Sequence, residues 1–312
     1  MRIIFAIVIP VSFFAQRFLD LVIQKIRLIV SPVSRPGWVK KYLPAVLGVF
    51  KDLGLDVEVC MTLGPGDPAR LAHEADGVFD AVVVAGGDGS INEALKELAG
   101  TATPLGILPF GTVNVFAREM RIPLHPLEAA HVFFKSHAKA FDVGRIGERR
   151  FLLMAGYGFD ARVLRATPSF LKRVFGRYAY LLTALSLIPF HKDRPVHVYA
   201  GGSVSPQIAH FAVFSNARCY AGNYVVAPEA DMHDGLLDAI LFDCPGRLGL
   251  FRIFAALFLN RLSNQPWITR VRTDRIRLES HDTSLFQIDG DSIVVSGDEI
   301  VVEKSAIRLV VP

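Results

Sequence analysis

The residues best suited to chemistry lie in a glycine-rich turn at residues 86–90, which read GGDGS. Before the turn, residues 81–85 (AVVVA) form a continuous apolar run, typical of a strand buried on both faces of a parallel sheet. After it, apolar residues from 91 to 98 repeat at helical spacing. Free N–H groups and the helix dipole favour an anion at such a helix start, so the pattern predicts phosphate binding. The alternative is a turn that binds nothing.

Asp88 lies inside this turn, where a carboxylate would repel a bound phosphate unless a metal ion or a proton transfer engages it. Asp88 is therefore a candidate for metal or proton chemistry, and an ordinary solvent-facing turn residue is the alternative. Ser90 is followed three residues later by Glu93, which matches a capping box. The sequence thus predicts that the helix begins at Ser90.

A second loop should lie near this turn. Residues 26–30 are a predicted strand, and residues 31–37 (SPVSRPG) form a loop that carries the hydroxyls of Ser31 and Ser34 and the cation of Arg35. Ligands of parallel sheets bind at the carboxyl ends of the strands, where this loop begins. These three side chains are therefore candidate ligand contacts.

A third loop repeats the arrangement. Residues 105–108 are a predicted strand, residues 109–114 (PFGTVN) follow as a loop, and residues 115–120 continue as a helix. This step brings Gly111 and Thr112 to the same edge of the sheet as the first glycine turn.

The alternation of strands and helices up to residue 141 predicts a right-handed parallel αβα layer. The remaining elements of this layer are a strand at 56–61 and helices at 40–53, 67–75 and 126–136. After residue 141, strands follow one another with few helices, which predicts an antiparallel sandwich or barrel. The predicted strands are 150–155, 195–200, 208–215, 235–242, 275–280, 284–288, 292–295 and 299–303.

Two predicted helices interrupt this second half, at residues 169–188 and 247–262. Both carry aromatic side chains, and the first also carries a cluster of basic ones. This combination suits an anionic bilayer surface, and a packed helix with a solvated basic face is the alternative.

The composition limits the classes of function. The chain has 312 residues, 51% of them hydrophobic, and its 23 phenylalanines favour an apolar ligand or a membrane surface. A net charge of +4 suits anionic substrates or membranes and is too mild for a nucleic-acid partner. The three cysteines are odd in number and widely spaced, so we expect no disulfides or zinc site and a reducing compartment.

Residues 1–24 form a separate, mostly apolar and amphipathic segment. Its longest apolar run is too short for a bilayer span, which needs about 20 residues. The segment either lies on a membrane, or packs on the protein body, or reflects a misassigned start codon.

Four motifs together resemble the diacylglycerol kinase catalytic family, which includes bacterial lipid kinases and sphingosine-type kinases. They are residues 86–93 (GGDGSINE), 109–118 (PFGTVNVFAR), 234–238 (DGLLD) and 288–291 (IDGD). The first motif alone is shared with NAD kinases and phosphofructokinases, whereas the four in this order are specific to the lipid kinases. The resemblance covers nearly everything from residue 26 to the C-terminus.

The resemblance implies ATP and Mg²⁺ bound between an α/β domain and a β-sandwich, with transfer of the γ-phosphoryl group to a lipid hydroxyl. It implies a nucleotide-binding domain at residues 25–141, to which residues 300–312 return, and a lipid-substrate domain at residues 142–299. We therefore expect a cytoplasmic protein at the inner face of the membrane, with a lipid substrate as partner; a homodimer remains open.

The resemblance also assigns site residues by position. Asp291 would be the general base, and Asp88 would lie near the catalytic magnesium. A structural magnesium would be held by the carbonyls of Asp231 and Leu236 and the carboxylate of Asp234. The expected nucleotide contacts, with those of the first loop, are Ser31, Ser34, Arg35, Thr62, Gly86, Gly87, Asp88, Gly89, Ser90, Asn92, Gly111 and Thr112.

This sequence departs from the family pattern at three of these positions. Arg35 stands where the family usually has glycine, so a cation replaces a close backbone approach. Asp291 stands where glutamate is usual, which keeps the carboxylate but shortens its reach. Ser90 replaces threonine and keeps the hydroxyl.

Several alternatives stay open from the sequence. The protein could be an NAD kinase-like enzyme or a non-catalytic nucleotide or lipid sensor. Asp291 could be a plain hairpin turn residue. Asp142 either joins the metal shell or caps a loop, and Asp160 either contacts the lipid headgroup or is a turn residue.

Overall fold

The computed structural model describes residues 23–133, 137–168, 170–171, 175, 178–192, 195–220, 224–259, 261–262, 265–279, 285–295 and 297–312. The predicted N-terminal segment lies outside the described residues except for Ile23 and Gln24. Of these two, Ile23 packs partly buried against the main hydrophobic core.

The N-terminal half is a parallel layer, as the sequence predicts. Four parallel strands lie in the order β2-β1-β3-β4, and every residue of β3 is buried. The strands are β1 (Lys25–Val30), β2 (Asp56–Met61), β3 (Ala81–Gly86) and β4 (Leu105–Pro109). The helices are α1 (Pro36–Asp52), α2 (Asp67–Ala75), α3 (Asp88–Leu98), α4 (Val115–Glu119) and α5 (Pro126–Val132).

The predicted start of α3 at Ser90 is wrong. The helix begins at Asp88 with Gly87 as its N-cap residue, and no side chain caps it. The Glu93 carboxylate is not available for a capping box, because Oε2 accepts the N–H of Gly66 at 2.8 Å in the turn before α2. Glu93 therefore ties two loops of the layer together instead of closing its own helix.

The C-terminal half is built from antiparallel strands. They are β5 (His137–Ile146), β6 (Arg149–Phe151), β7 (Met154–Tyr157), β8 (Val196–Ala200), β9 (Gln207–Ala209), β10 (Phe211–Ser215), β11 (Cys219–Tyr220), β12 (Tyr224–Val225), β13 (Leu237–Phe242), β14 (Ile268–Thr273), β15 (Arg275–Glu279), β16 (Leu285–Ile288), β17 (Asp291–Val294) and β18 (Glu299–Val311). Its described helices are α6 (Phe159–Ala166), α7 (Tyr178–Leu187) and α8 (Gly246–Phe258).

Two large sheets contain most of these strands, and β11 and β12 pair with each other in a separate two-stranded sheet. The strands β5, β6, β8, β9, β15 and β18 extend the N-terminal layer into one ten-stranded sheet. The other sheet has the order β14-β13-β10-β7-β16-β17 and is antiparallel throughout. A second core, with Phe151, Phe214 and Phe286 fully buried, takes residues from both sheets. The predicted sandwich is therefore confirmed.

The strand β18 joins the halves. It pairs in parallel with β4 through Leu309 and Val310, and it pairs antiparallel with β5 over most of its length. The C-terminus thus completes the sheet that carries the glycine turns.

Three local predictions differ from the structure. The helix α6 occupies residues that look like a glycine turn, because Gly158 with φ +97° precedes it as N-cap residue. The predicted strand 150–155 is split into β6 and β7, since the N–H groups between them donate to Asp289. The strands β5, β11, β12 and β14 were not predicted.

Among the described residues, no helix combines the length and apolar character needed to span a bilayer.

Candidate active site

A cavity of about 420 Å³ lies between the two halves of the chain. The N-terminal half contributes Asp88, Gly89 and Thr112 to its wall, and the C-terminal half contributes Asp289 and Asp291. Much of the remaining wall is apolar or aromatic, with Leu153, Met154, Val163, Leu164, Leu181, Ala184, Phe254 and Leu257. The cavity therefore combines a carboxylate-rich end with an apolar interior.

The three predicted loops meet at the edge of the parallel sheet. The N–H of Gly87 donates to the Ser34 hydroxyl at 3.1 Å, and that hydroxyl donates to Ser31 at 3.0 Å. A Cβ on Gly111 would lie 2.6 Å from the Gly87 Cα, so no larger residue fits there. A phosphate bound here would compete with Ser34 for the Gly87 N–H.

Gly86 and Ser90 of the glycine turn also lie close to each other and to Ser31. A Cβ on Gly86 would lie 3.0 Å from the Ser90 Cβ and 3.4 Å from the Ser31 Cβ. The predicted contacts Ser31, Ser34, Gly86, Gly87 and Ser90 thus form one cluster with the Gly111 loop.

Asp88 links two of these loops. Its Oδ1 accepts the N–H of Phe116 at 3.2 Å, and the N–H groups of Asn114 and Val115 also stabilise the carboxylate. Burial raises the pKa of Asp88 more than these N–H groups lower it. Asp88 therefore caps the start of α4 while its side chain lines the cavity.

The residues around Asp88 determine which protein ligands the expected Mg²⁺ could have. This ion uses one or two protein carboxylates together with substrate phosphates and waters. No group of three or more His, Cys, Asp or Glu side chains in the described part of the chain could hold a metal ion. Asp88 on the cavity wall is suited to meet a metal ion that a bound substrate carries.

Asp291 is held by the helix that begins at Asp88. The Asn92 amide donates to Asp291 Oδ2 at 3.2 Å, and Lys96 Nζ lies 3.7 Å from the same oxygen. Asn92 is fully buried, so its predicted contact with the nucleotide stays a prediction. Lys96 was not predicted, because its spacing on α3 marks it only as a surface lysine.

Asp289, two residues before Asp291, has a different environment. Its carboxylate accepts the N–H groups of Leu152, Leu153 and Met154 at 2.7 to 2.9 Å. Burial raises the pKa of Asp289 to about 6 in spite of these bonds. Asp289 thus fixes the connection between β6 and β7 and, through the short turn, the position of Asp291.

Of the predicted nucleotide contacts, Asp88, Gly89 and Thr112 line the cavity, and two others, Thr62 and Arg35, lie apart from both the cavity wall and the glycine cluster. Thr62 is buried at the end of β2, where its N–H donates to the Val30 carbonyl at 2.9 Å. The Arg35 guanidinium lies 3.9 Å from the centre of the Trp38 ring. Neither residue contacts the glycine cluster through a described hydrogen bond, so both roles stay predictions.

The expected structural magnesium site has a protein cation beside it. The Asp234 carboxylate contacts the Arg272 guanidinium through one oxygen and accepts the N–H of Leu236 at 2.8 Å through the other. Asp231 Oδ1 accepts the N–H of His233 at 3.0 Å. The Asp234 carboxylate thus has protein partners at both oxygens in this structure, and the assignment of a structural magnesium stays a prediction.

Asp142 was predicted either to join the metal shell or to cap a loop. In the structure its carboxylate makes the contacts of a loop cap. Oδ1 accepts the N–H of Ser305 at 2.7 Å, and Oδ2 accepts the N–H of Gly235 at 2.6 Å. These bonds tie β5 to β18 and to the turn around Gly235. Both oxygens are therefore engaged in holding β18 and the Gly235 turn against β5.

The fold and this cleft define a class of enzyme in which a glycine-turn α/β layer and a β-sandwich share one carboxylate-lined cavity. The family model described as diacylglycerol kinase catalytic domain matches residues 25–146. The model described as YegS C-terminal NAD kinase beta sandwich-like domain matches residues 154–311. The chain belongs to the diacylglycerol kinase catalytic domain family and is thus a member of a kinase family.

Individual proteins agree with this assignment. The chain is 30% identical over 300 residues to a diacylglycerol kinase of Mycobacterium tuberculosis, covering 93% of this chain and 96% of the other. It is 28% identical over 273 residues to the diacylglycerol kinase of Bacillus subtilis, covering 86% and 90%. A crystal structure of a diacylglycerol kinase from Bacillus anthracis shares the fold, with a TM-score of 0.75, 24% identity and coverage of 93% and 98%.

Proposed function

We propose that this protein is a lipid kinase that transfers the γ-phosphoryl group of ATP to a lipid hydroxyl in the presence of Mg²⁺. The observation that carries the proposal is the single cavity that places Asp88 and Asp291 beside an apolar interior. The names of the relatives, all diacylglycerol kinases, agree with a lipid acceptor. Diacylglycerol or a related lipid alcohol is therefore the acceptor class.

The reaction needs positioning and charge stabilisation more than covalent chemistry. The lipid hydroxyl oxygen bonds to the γ-phosphorus, and the bond from that phosphorus to the β,γ-bridging oxygen breaks, releasing ADP. Asp291 accepts the hydroxyl proton. Asn92 orients the Asp291 carboxylate through its 3.2 Å hydrogen bond. A bound Mg²⁺ would supply neutralisation of phosphate charge, with Asp88 as its protein carboxylate.

Two helices indicate how a lipid would reach the cavity. On α7, Tyr180 and Leu181 line the cavity, whereas Leu182 and Leu185 on the same helix are exposed. An element that is apolar on both its buried and its exposed face is suited to a hydrocarbon environment.

The helix α8 has the same two-sided character. Phe254 and Leu257 line the cavity, and Leu248 and Phe251 are exposed at 63% and 56%. Two exposed arginines, at positions 247 and 252, flank these side chains. Apolar and basic groups together favour an anionic bilayer. We place this surface, formed by the exposed residues of α7 and α8, on the inner face of the membrane.

A phosphorylation assay tests the proposal. Purified protein with Mg²⁺, ATP radiolabelled at the γ-phosphate and lipid alcohols in mixed micelles should yield a labelled lipid. Water-soluble NAD serves as the competing acceptor. Label in NAD would assign the chain to NAD kinase chemistry, and binding of ATP without transfer to any acceptor would make it a non-catalytic sensor.

A further inference from the structure

Lys96 is a cation that contacts Asp291, and the proposed chemistry does not use it. It lies in the last turn of α3, and its Nζ is 3.7 Å from Asp291 Oδ2. Its side chain is only 21% exposed. Lysine side chains usually extend into water, because burial costs hydration and rotamer freedom. The withdrawn position of Lys96 therefore indicates a specific partner, and Asp291 is that partner.

Three residues on one face of α3 point toward this partner. Asp88, Asn92 and Lys96 are spaced four residues apart, and residues at this spacing are neighbours along a helix. Helical side chains point toward the N-terminus of the helix, so the stem of Lys96 carries its ammonium group back toward Asn92. The Asn92 amide donates to Asp291 Oδ2 at 3.2 Å. Successive turns of α3 thus present an amide and an ammonium group to the same oxygen.

The two contacts fix one oxygen of Asp291 and leave the other open. Within the described part of the chain, both contacts involve Oδ2, and no hydrogen bond or ion pair involves Oδ1. The Asp291 side chain is 56% exposed, so without these contacts the carboxylate would sample several rotamers. Oδ1 is therefore the oxygen that a lipid hydroxyl can reach.

The charges around the cavity give the ammonium group a second effect. Four aspartates, at positions 88, 160, 289 and 291, line the cavity, and no Lys, Arg or His does so among its described residues. Burial raises the pKa of Asp289 to about 6, and three main-chain N–H groups and the charge of Lys96 oppose this rise. The charge of Lys96 thus acts on both carboxylates at the turn between β16 and β17.

We propose that Lys96 is a positioning residue for phosphoryl transfer, which with Asn92 holds the Asp291 carboxylate so that Oδ1 accepts the proton of the lipid hydroxyl. This proposal rests on the proposed lipid kinase function. The Lys96 ammonium group keeps its own proton and does not line the cavity, so it acts on the reaction through Asp291. Its removal should therefore affect kcat and leave the binding of ATP and lipid unchanged.

Single variants measure the effect of the charge. Lys96→Met removes the ammonium group and keeps an unbranched side chain that favours a helix. We expect kcat to fall about three- to tenfold, while the KM values for ATP and for the lipid stay within about twofold of wild type. Lys96→Arg keeps the cation, and because one point charge faces one oxygen, it should retain most of the wild-type kcat.

A double-mutant cycle shows whether Lys96 acts through Asp291. In the Asp291→Asn background, Lys96→Met should change kcat by less than about twofold, because the carboxylate that Lys96 holds is already gone. Lys51→Met and Asp52→Asn, alone and combined, are the matched controls. They change an exposed cation and an exposed acid at the end of α1 and should keep the wild-type kcat.

The outcomes separate this proposal from the kinase proposal. An unchanged kcat in Lys96→Met, a loss confined to KM, or the same loss of kcat in both backgrounds overturns the role of Lys96 and leaves the kinase proposal intact. Failure of wild type to label any lipid overturns the kinase proposal and the role of Lys96 with it. If circular dichroism shows Lys96→Met to be unfolded, Lys96→Gln takes its place in the cycle and decides.

Discussion

At the scale of single residues, the four carboxylates of the cavity differ in what surrounds them. Asp88 and Asp289 accept main-chain N–H groups and thereby fix loops. Asp291 is contacted by side chains, and its own side chain is 56% exposed. Asp160 has one partner and one unused oxygen. Because Asp291 is the accessible one at the reactive end, it suits proton transfer best.

Replacing Asp291 should test its role as the base. Asp291→Asn keeps the size of the side chain and removes the proton acceptor, so kcat should fall by about 100-fold or more. The measurement is lipid phosphorylation at saturating ATP, with Asp52→Asn as control and thermal unfolding as a check of the fold. A wild-type kcat in Asp291→Asn would remove this residue from the mechanism.

Titration of Asp160 should make the free energy of unfolding depend on pH. Burial raises its pKa from 3.8 to about 6, against the lowering effect of the Tyr220 hydrogen bond. Between about pH 4 and pH 6 the folded protein thus holds a proton that the unfolded chain has lost, so stability falls as the pH rises. At about 1.4 kcal/mol per pKa unit, the loss is roughly 3 kcal/mol across this window and constant above it.

Urea unfolding of wild type and Asp160→Asn at several pH values measures this coupling. The variant carries no titrating group at this position, so it should gain stability relative to wild type as the pH rises from 4 to 6. Asp289, whose burial also raises its pKa to about 6, remains in both proteins and cancels in the difference. If the difference in unfolding free energy between the two proteins does not change with pH, the raised pKa of Asp160 is contradicted.

The sequence predicts residue types here better than residue partners. The glycine turns identify Asp88, and the family resemblance identifies Asp291. The contacts of Asn92 and Lys96 with Asp291 depend on the packing of α3 against β17, and no local pattern encodes that packing. The unused oxygen of Asp160 likewise appears only when Tyr220 and Gly156 are seen beside it.

At the scale of elements, the site depends on two turns in direct contact. The Gly111 turn follows β4, the Gly87 turn follows β3, and neighbouring strands bring their Cα atoms together. Asp88 then bonds to the start of α4, so the second loop is held by the first. Glycine at position 111 is a geometric requirement of the contact, whereas a Cβ on Gly87 would lie 3.5 Å from the Gly111 Cα, an ordinary contact distance.

Gly111→Ala should separate the two turns. The new Cβ would lie 2.6 Å from both the Gly87 Cα and the Asn114 Oδ1, so the loops must move. We expect ATP binding at least about tenfold weaker and a loss of about 1–3 kcal/mol in unfolding free energy. Titration calorimetry with a non-hydrolysable ATP analogue and denaturant unfolding measure the two effects.

Gly48→Ala is the matched control for this change. Gly48 lies in α1 with no atom within 4 Å of its added Cβ, and alanine favours a helix. This variant should bind the analogue as wild type does and be slightly more stable. Equal binding by Gly111→Ala and Gly48→Ala would show that the contact between the turns does not shape the nucleotide site.

The elements themselves were largely predictable, because the buried strands of the parallel layer are continuous apolar runs. The start of α3 was not, since Glu93 bonds to the distant Gly66 N–H instead of completing a local cap. The helix α6 was also missed, because glycines before Phe159 favour a turn when only neighbours in sequence are considered. A long-range hydrogen bond thus bears on the start of α3, whereas α6 follows a glycine with a positive φ.

At the scale of the whole molecule, the two halves are joined by one continuous strand. The pairing of β18 with both β4 and β5 makes the cavity a fixed junction of layer and sandwich. The sequence shows the apolar strand 299–303, whereas the return to the first half came from the family resemblance. Strand pairing over such a separation cannot be read from hydrophobic periodicity.

The exposed apolar residues of α7 and α8 should bind membranes. The double variant Leu248→Asp/Phe251→Asp adds charge and removes apolar area, so cosedimentation with vesicles of phosphatidylglycerol and phosphatidylcholine should fall at least about tenfold. Val204→Asp/Ile208→Asp, which changes exposed apolar residues outside these helices, is the control and should bind as wild type does. Equal loss in both double variants would contradict a specific membrane surface.

The central claim is that one cavity joins a triphosphate site at the glycine turns to a lipid site in the sandwich. A crystal structure with Mg²⁺ and a non-hydrolysable ATP analogue tests it most directly. The account predicts density for the phosphates against residues 86–90 and 111–112, with the γ-phosphate facing the cavity that Asp88 and Asp291 line. Nucleotide density elsewhere, or turns that stay empty at saturating analogue, would contradict it.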